Sequence, residues 1–151
     1  MKNLIWILLI FLSLQSCKTT KADYTKSDIN SLSLYDYNDQ PITLEYLTKE
    51  WNKRIQENEK INARIENLEI INIVDNETNK KTLVLLGTTN KKSVKTATTL
   101  TEYKNGLKLS DLTVTCNNCN DDLNIQLNNK NWSCITKVGK SCTKITTLRT
   151  E

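Results

Sequence analysis

No histidine occurs anywhere in the 151 residues. That removes the imidazole that activates a serine or cysteine nucleophile and that serves as a ligand for catalytic zinc. Three glycines and a single proline are too few for a glycine-rich phosphate loop. Carboxylates do fall close together, at Asp121-Asp122 and at Glu57 with Glu59. Neighbouring side chains on a strand or turn diverge, so that spacing alone makes no acid and base pair. The residues therefore point to no catalytic group, no cofactor and no metal ligand. A formal charge of +4 is too mild to imply nucleic acid.

What the chain has is an N-terminal stretch with the order of a secretory signal. Lys2 precedes the apolar block Leu4-Ile5-Trp6-Ile7-Leu8-Leu9-Ile10-Phe11-Leu12, and Leu14-Gln15-Ser16-Cys17 closes it. The block is shorter than the roughly 20 apolar residues that a membrane-spanning helix needs. Leu14-Gln15-Ser16-Cys17 resembles the lipobox of bacterial lipoproteins, with an aliphatic residue and a small residue ahead of the cysteine. The resemblance implies removal of residues 1–16 and lipidation of Cys17, which would anchor the chain to a membrane. Lys18 stands where lipoproteins kept at an inner membrane carry Asp. In an envelope of two membranes this implies the outer one, with the protein facing the periplasm.

Charge divides unevenly over the remainder. Residues 17–77 hold 8 basic and 12 acidic side chains, and residues 78–151 hold 12 basic and 5 acidic. The C-terminal half could thus face a protein, an anionic partner or an anionic membrane surface, although lysines on the wet face of a sheet give the same count.

Residues 18–38 are polar and irregular, and residues 17–38 read as a lipidated, flexible tether. Tyr35 and Tyr37 belong either to its last turn or to a first short strand. From residue 39 to residue 151 the pattern is that of one α+β domain. Thr43 is a helix N-cap and Glu45 lies in the first turn. Leu44, Leu47, Trp51, Ile55, Ile61, Ile65 and Leu68 make an apolar stripe. Glu45 with Lys49, and Glu50 with Arg54, are spaced for ion pairs on the opposite face. The reading is an amphipathic helix of roughly 20 to 24 residues, packed on an antiparallel sheet.

Strands follow at residues 68–74 and 81–86, joined by a polar turn, and residues 87–92 read as a loop. A threonine-rich strand spans 93–103. Asn105-Gly106 is a two-residue hairpin turn into 107–109, because a type I′ turn needs positive φ at both central positions. Leu112, Val114 and Cys116 alternate, as do Leu123, Ile125 and Leu127. The last two strands occupy residues 132–138 and 141–148, around Gly139-Lys140.

Cys116, Cys119, Cys134 and Cys142 remain once Cys17 is lipidated. An even number in an exported chain reads as two disulfides stapling the C-terminal strands. If Gly139-Lys140 is a tight turn, Cys134 and Cys142 point to opposite faces, so each bridges back to Cys116 or Cys119. Both such pairings stay open, with each bridge worth about 2 to 4 kcal/mol. Two alternatives use the same sulfurs. Cys116 and Cys119 have the spacing of a periplasmic thiol redox protein, and the four cysteines could ligate zinc in an interaction module. Acidic Asp121 and Asp122 would raise a thiol pKa, and seven residues between Cys134 and Cys142 are wide for a zinc knuckle. Trp132 shares a face with Cys134, which suits core packing, the other option being an exposed aromatic that grips a partner. The functional expectation is a lipid-anchored cell-envelope protein of non-enzymatic binding or structural type.

Overall fold

Alternating apolar side chains and β-branched threonines dominate the domain, and they produce a mostly β structure with one short helix. The computed structural model describes residues 23–75, 77–119, 123–136 and 142–149. Residues 1–22, with the signal and Cys17, lie outside the described residues, as do Asp121, Asp122, Gly139 and Lys140.

Residues 23–38, expected as the end of a tether, instead carry ordered elements. Two single-turn 3-10 helices, Tyr24–Lys26 and Ile29–Ser31, lead into strand β1 (Ser33–Tyr35), where Leu34 is buried. Tyr24, Ile29 and Leu32 pack on the core. The polar composition hid this, because the apolar anchors are spaced by turns rather than by a regular period.

Strand β2 (Pro41–Ile42) precedes helix α1 (Leu44–Lys53). Thr43 caps α1 by accepting the Tyr46 N–H at 3.1 Å. The helix is shorter than the expected 20 to 24 residues. It widens into a π turn, Arg54–Asn58, and Lys60 at φ 56° ends it. Ile61 is buried beyond that end, and Ile65 is the first residue of a strand. The stripe continued because core-facing positions occur in both elements. Arg54, expected on the wet face beside Glu50, is turned inward by the π turn.

The strands that follow are β3 (Ile65–Val74), β4 (Lys81–Thr89), β5 (Lys95–Tyr103), β6 (Gly106–Asn117), β7 (Leu123–Asn128), β8 (Asn131–Thr136) and β9 (Thr143–Leu148). The main sheet has the order β2-β1-β6-β5-β4-β3, with β9 beside β6, and β7 with β8 makes a separate hairpin. All pairings are antiparallel except β1 with β6. The conditional pairing of the eighth strand with the ninth is overturned, since β9 pairs with β6 and β8 with β7.

Two glycines moved out of their expected loops for steric reasons. Gly87 lies inside β4, where an added Cβ would come within 2.9 Å of Ile65 and 3.0 Å of Trp51 and Thr96. Gly106 begins β6, and the hairpin turn is Lys104-Asn105. An added Cβ at Gly106 would lie 2.0 Å from the Ser33 carbonyl oxygen. The glycine thus permits β1 to lie against β6, and Lys104 adopts φ 51°.

The sheet has two covered faces. On one, Leu47, Trp51 and Ile55 of the helical segment pack on Ile70, Leu85, Leu100, Leu107 and Leu109. On the other, the β7–β8 hairpin sets Leu123, Ile125, Leu127 and Trp132 on Ile73, Val84, Leu86, Ala97 and Val114.

Candidate functional site

The hairpin is shorter than the sheet beneath it, and the space left at its tip is a groove of about 650 Å³. Four devices position the hairpin over the sheet. Cys116 of β6 is bonded to Cys134 of β8, with Cα atoms 5.5 Å apart. Lys95 Nζ donates to the Leu123 carbonyl at 3.0 Å, and Lys144 Nζ donates to the Trp132 carbonyl at 2.8 Å. At the tip, Asp75 accepts main-chain N–H bonds from Glu77 and Thr78, each 2.9 Å, and from Asn129 across the gap. These donors favour the carboxylate, so the Asp75 pKa is lowered, with the Asn129 N–H as the largest cause.

An irregularity in the sheet shapes the floor. Thr98 pairs with Thr113 and Leu100 with Leu109, so residues 110–112 oppose Thr99 alone. Such bulges re-aim side chains and bend the strand. The Thr98 hydroxyl holds the bulge by donating to the Leu112 carbonyl at 2.6 Å. Leu112 then lines the groove with Leu100, Leu127, Trp132 and Leu148. Leu148, at the end of β9, is 55% exposed, one of three large apolar side chains so exposed among the described residues. Thr82, Thr99, Thr101 and Ser110 add hydroxyls, and Lys80 and Lys130 stand on either side of Asp75. Sequence reasoning missed this groove. Its residues come from six strands and two turns, so no single stretch of sequence carries a period that marks it.

The cysteines are not in the groove lining, and all four are engaged in bonds. The second bond joins Cys119 to Cys142, so the bridges are 116–134 and 119–142, and the last strands are stapled as expected. Cys116 and Cys119 are therefore each bonded to a different partner. Trp132 is 5% exposed and packs with Cys134, which overturns the exposed-aromatic option. Among the described residues no group of three or more His, Cys, Asp or Glu is placed to hold a metal. No described helix is long and apolar enough to cross a membrane.

A second polar cluster is enclosed beneath the helical segment. Arg54 donates to Thr96 Oγ1 at 2.7 Å, lies 3.3 Å from Glu59 through Nε, and stacks 5.4 Å from the Trp51 ring centroid. Glu59 also accepts from Thr147 of β9 at 3.0 Å. Burial pushes the Arg54 pKa down to about 10, against the pull of Glu59. This cluster ties the helical segment to β9. Glu57 is exposed and takes no part, so Glu57 and Glu59 are not a working pair. No family model matches this chain, and no curated protein or solved structure matches it either.

Proposed function

We propose that the protein is a lipid-anchored component of the cell envelope. On this reading it is held by Cys17 at the outer membrane on the periplasmic side, and it binds a partner without chemistry. The observation that carries the reading is the run Leu14-Gln15-Ser16-Cys17 after an apolar block. Two disulfides support it, because such bonds persist in oxidising compartments. Asp23 lies six residues beyond Cys17, so an extended chain would hold the lipid within about 21 Å of it. Asp23 borders a shallow cleft that shares Lys80, Thr82, Leu100 and Thr101 with the hairpin groove. An anchored domain would therefore carry its groove near the membrane.

The thiol redox and zinc alternatives draw no support from the bonding. A redox dithiol needs Cys116 and Cys119 to bond each other, and a zinc site needs free thiolates. Fractionation of cells expressing the Cys17→Ser chain tests the anchor. The unsubstituted chain is expected with the membranes and the variant in the soluble fraction. A variant that still sediments with membranes would overturn the reading.

A further inference from the structure

We infer that the groove between the β7–β8 hairpin tip and the sheet binds a free fatty acid. The inference rests on the binding role proposed above and is independent of the lipid anchor. Charge complementarity selects the head group. Lys80 and Lys130 line the groove and make no ion pair among the described residues. The Lys80 carbonyl accepts from the Asp75 N–H, and Lys130 follows Asn129, whose N–H donates to Asp75. Both lysines thus stand at the same end of the groove. The carboxylate between them is taken up by three main-chain donors. That leaves two cations in want of an anion. Asp111, the other acid in the lining, accepts from the Ser110 hydroxyl and lies on β6, at the far side of the groove.

The apolar part selects the tail. From the lysines the floor crosses β4, β5, β6 and β9 in that order. That is three interstrand spacings, about 14 Å. Leu112 and Leu148 lie along the far part of this path, and Leu127 and Trp132 form its roof. A straight chain with one anionic end meets both requirements. A sugar would want an exposed aromatic platform, and Trp132 is 5% exposed.

The test is calorimetric titration of the Cys17→Ser chain, exported and purified without detergent, with dodecanoate below its aggregation threshold. The expected result is saturable one-to-one binding. Octanoate should bind more weakly, at roughly tenfold for each two methylenes removed. Lys80→Gln and Lys130→Gln should each weaken dodecanoate by about fivefold and leave the neutral analogue dodecanol unchanged. Leu148→Asn should weaken both ligands. All three substitutions are at exposed positions, and circular dichroism verifies that each variant is folded. Non-saturable uptake, or lysine variants that bind dodecanoate as the parent does, would overturn the assignment. So would a parent chain that dimerises in sedimentation while Leu148→Asn stays monomeric, because a second copy would then be the occupant. Membrane sedimentation of Cys17→Ser defeats the anchor alone, whereas a flat titration defeats the fatty-acid assignment.

Discussion

Glu59→Gln should be among the most damaging conservative substitutions in the domain. The change keeps the shape of the side chain and its bond from Thr147, and it removes the one counterion that the described residues place beside the buried Arg54 guanidinium. Arg54 is 6% exposed, and its Nη1 has no hydrogen-bond partner. Even with Glu59 present, burial holds its pKa well below the ordinary guanidinium value, at about 10. At about 1.4 kcal/mol per unit, the charged form therefore carries a residual penalty on the order of 3 kcal/mol. Taking away the carboxylate adds the cost of an uncompensated buried charge, so the expected loss is about 3 to 5 kcal/mol. The double variant Arg54→Met with Glu59→Gln removes both charges. It should return to within about 1.5 kcal/mol of the parent, or exceed it, since a buried ion pair seldom outperforms apolar packing. Urea unfolding with the disulfides intact, followed by tryptophan fluorescence, gives the full cycle. A Glu59→Gln cost under about 1 kcal/mol, or singles that add without coupling, would refute the reasoning.

Three further outcomes follow from the same geometry. Replacing Cys119 and Cys142 by alanine opens a loop of 23 residues and should cost about 3 kcal/mol in thermal or denaturant unfolding. Replacing Cys116 and Cys134, fully and nearly fully buried, should cost more for a similar loop, because a cavity is added; equal losses would contradict this. Gly87→Ala should lower stability by about 1 to 3 kcal/mol through overpacking against Trp51, Ile65 and Thr96, and a stabilised variant would show that this junction yields freely. Asp75→Asn should be less stable than the parent at neutral pH. Because folding lowers the Asp75 pKa below the ordinary aspartate value of 3.8, its contribution is complete above that value and drains away as pH falls through the folded pKa. The gap between parent and variant should therefore close below pH 3.8, and a gap that persists there would exclude ionisation as its source.

Local chemistry made part of this architecture readable in advance. Thr43 capped a helix, the strands around residues 68–86 were evident from β-branched runs, and an even set of four cysteines beyond Cys17 pointed to two staples. The pairing assumed for the last two strands was wrong, since β9 lies against β6 rather than β8. Its conclusion about which cysteines bridge still held, because both partners lie on or beside β6. The helix length and the inward turn of Arg54 were not legible, and the strand at residues 33–35 was only one of two readings left open for Tyr35. Each depends on a neighbour distant in sequence: Glu59 and Thr96 for Arg54, and Gly106 for Ser33. The groove was hidden for the same reason, as its floor exists only when a bulge in β6 and the end of β9 meet the tip of the hairpin.

The parallel contact between β1 and β6 sets a timetable for the chain. Ser33 cannot find its partner until Gly106 has been delivered, and β9 cannot dock before residue 148 has followed. A protein threaded across a membrane from its N-terminus would thus keep its first strand waiting while β3, β4 and β5 pair locally. The two bridges overlap in sequence, 116–134 and 119–142, so neither can close correctly until the C-terminal third has arrived. Completion of the sheet and closure of its staples would then be late, coupled steps, and an oxidant acting too early would trap the wrong cysteine pair.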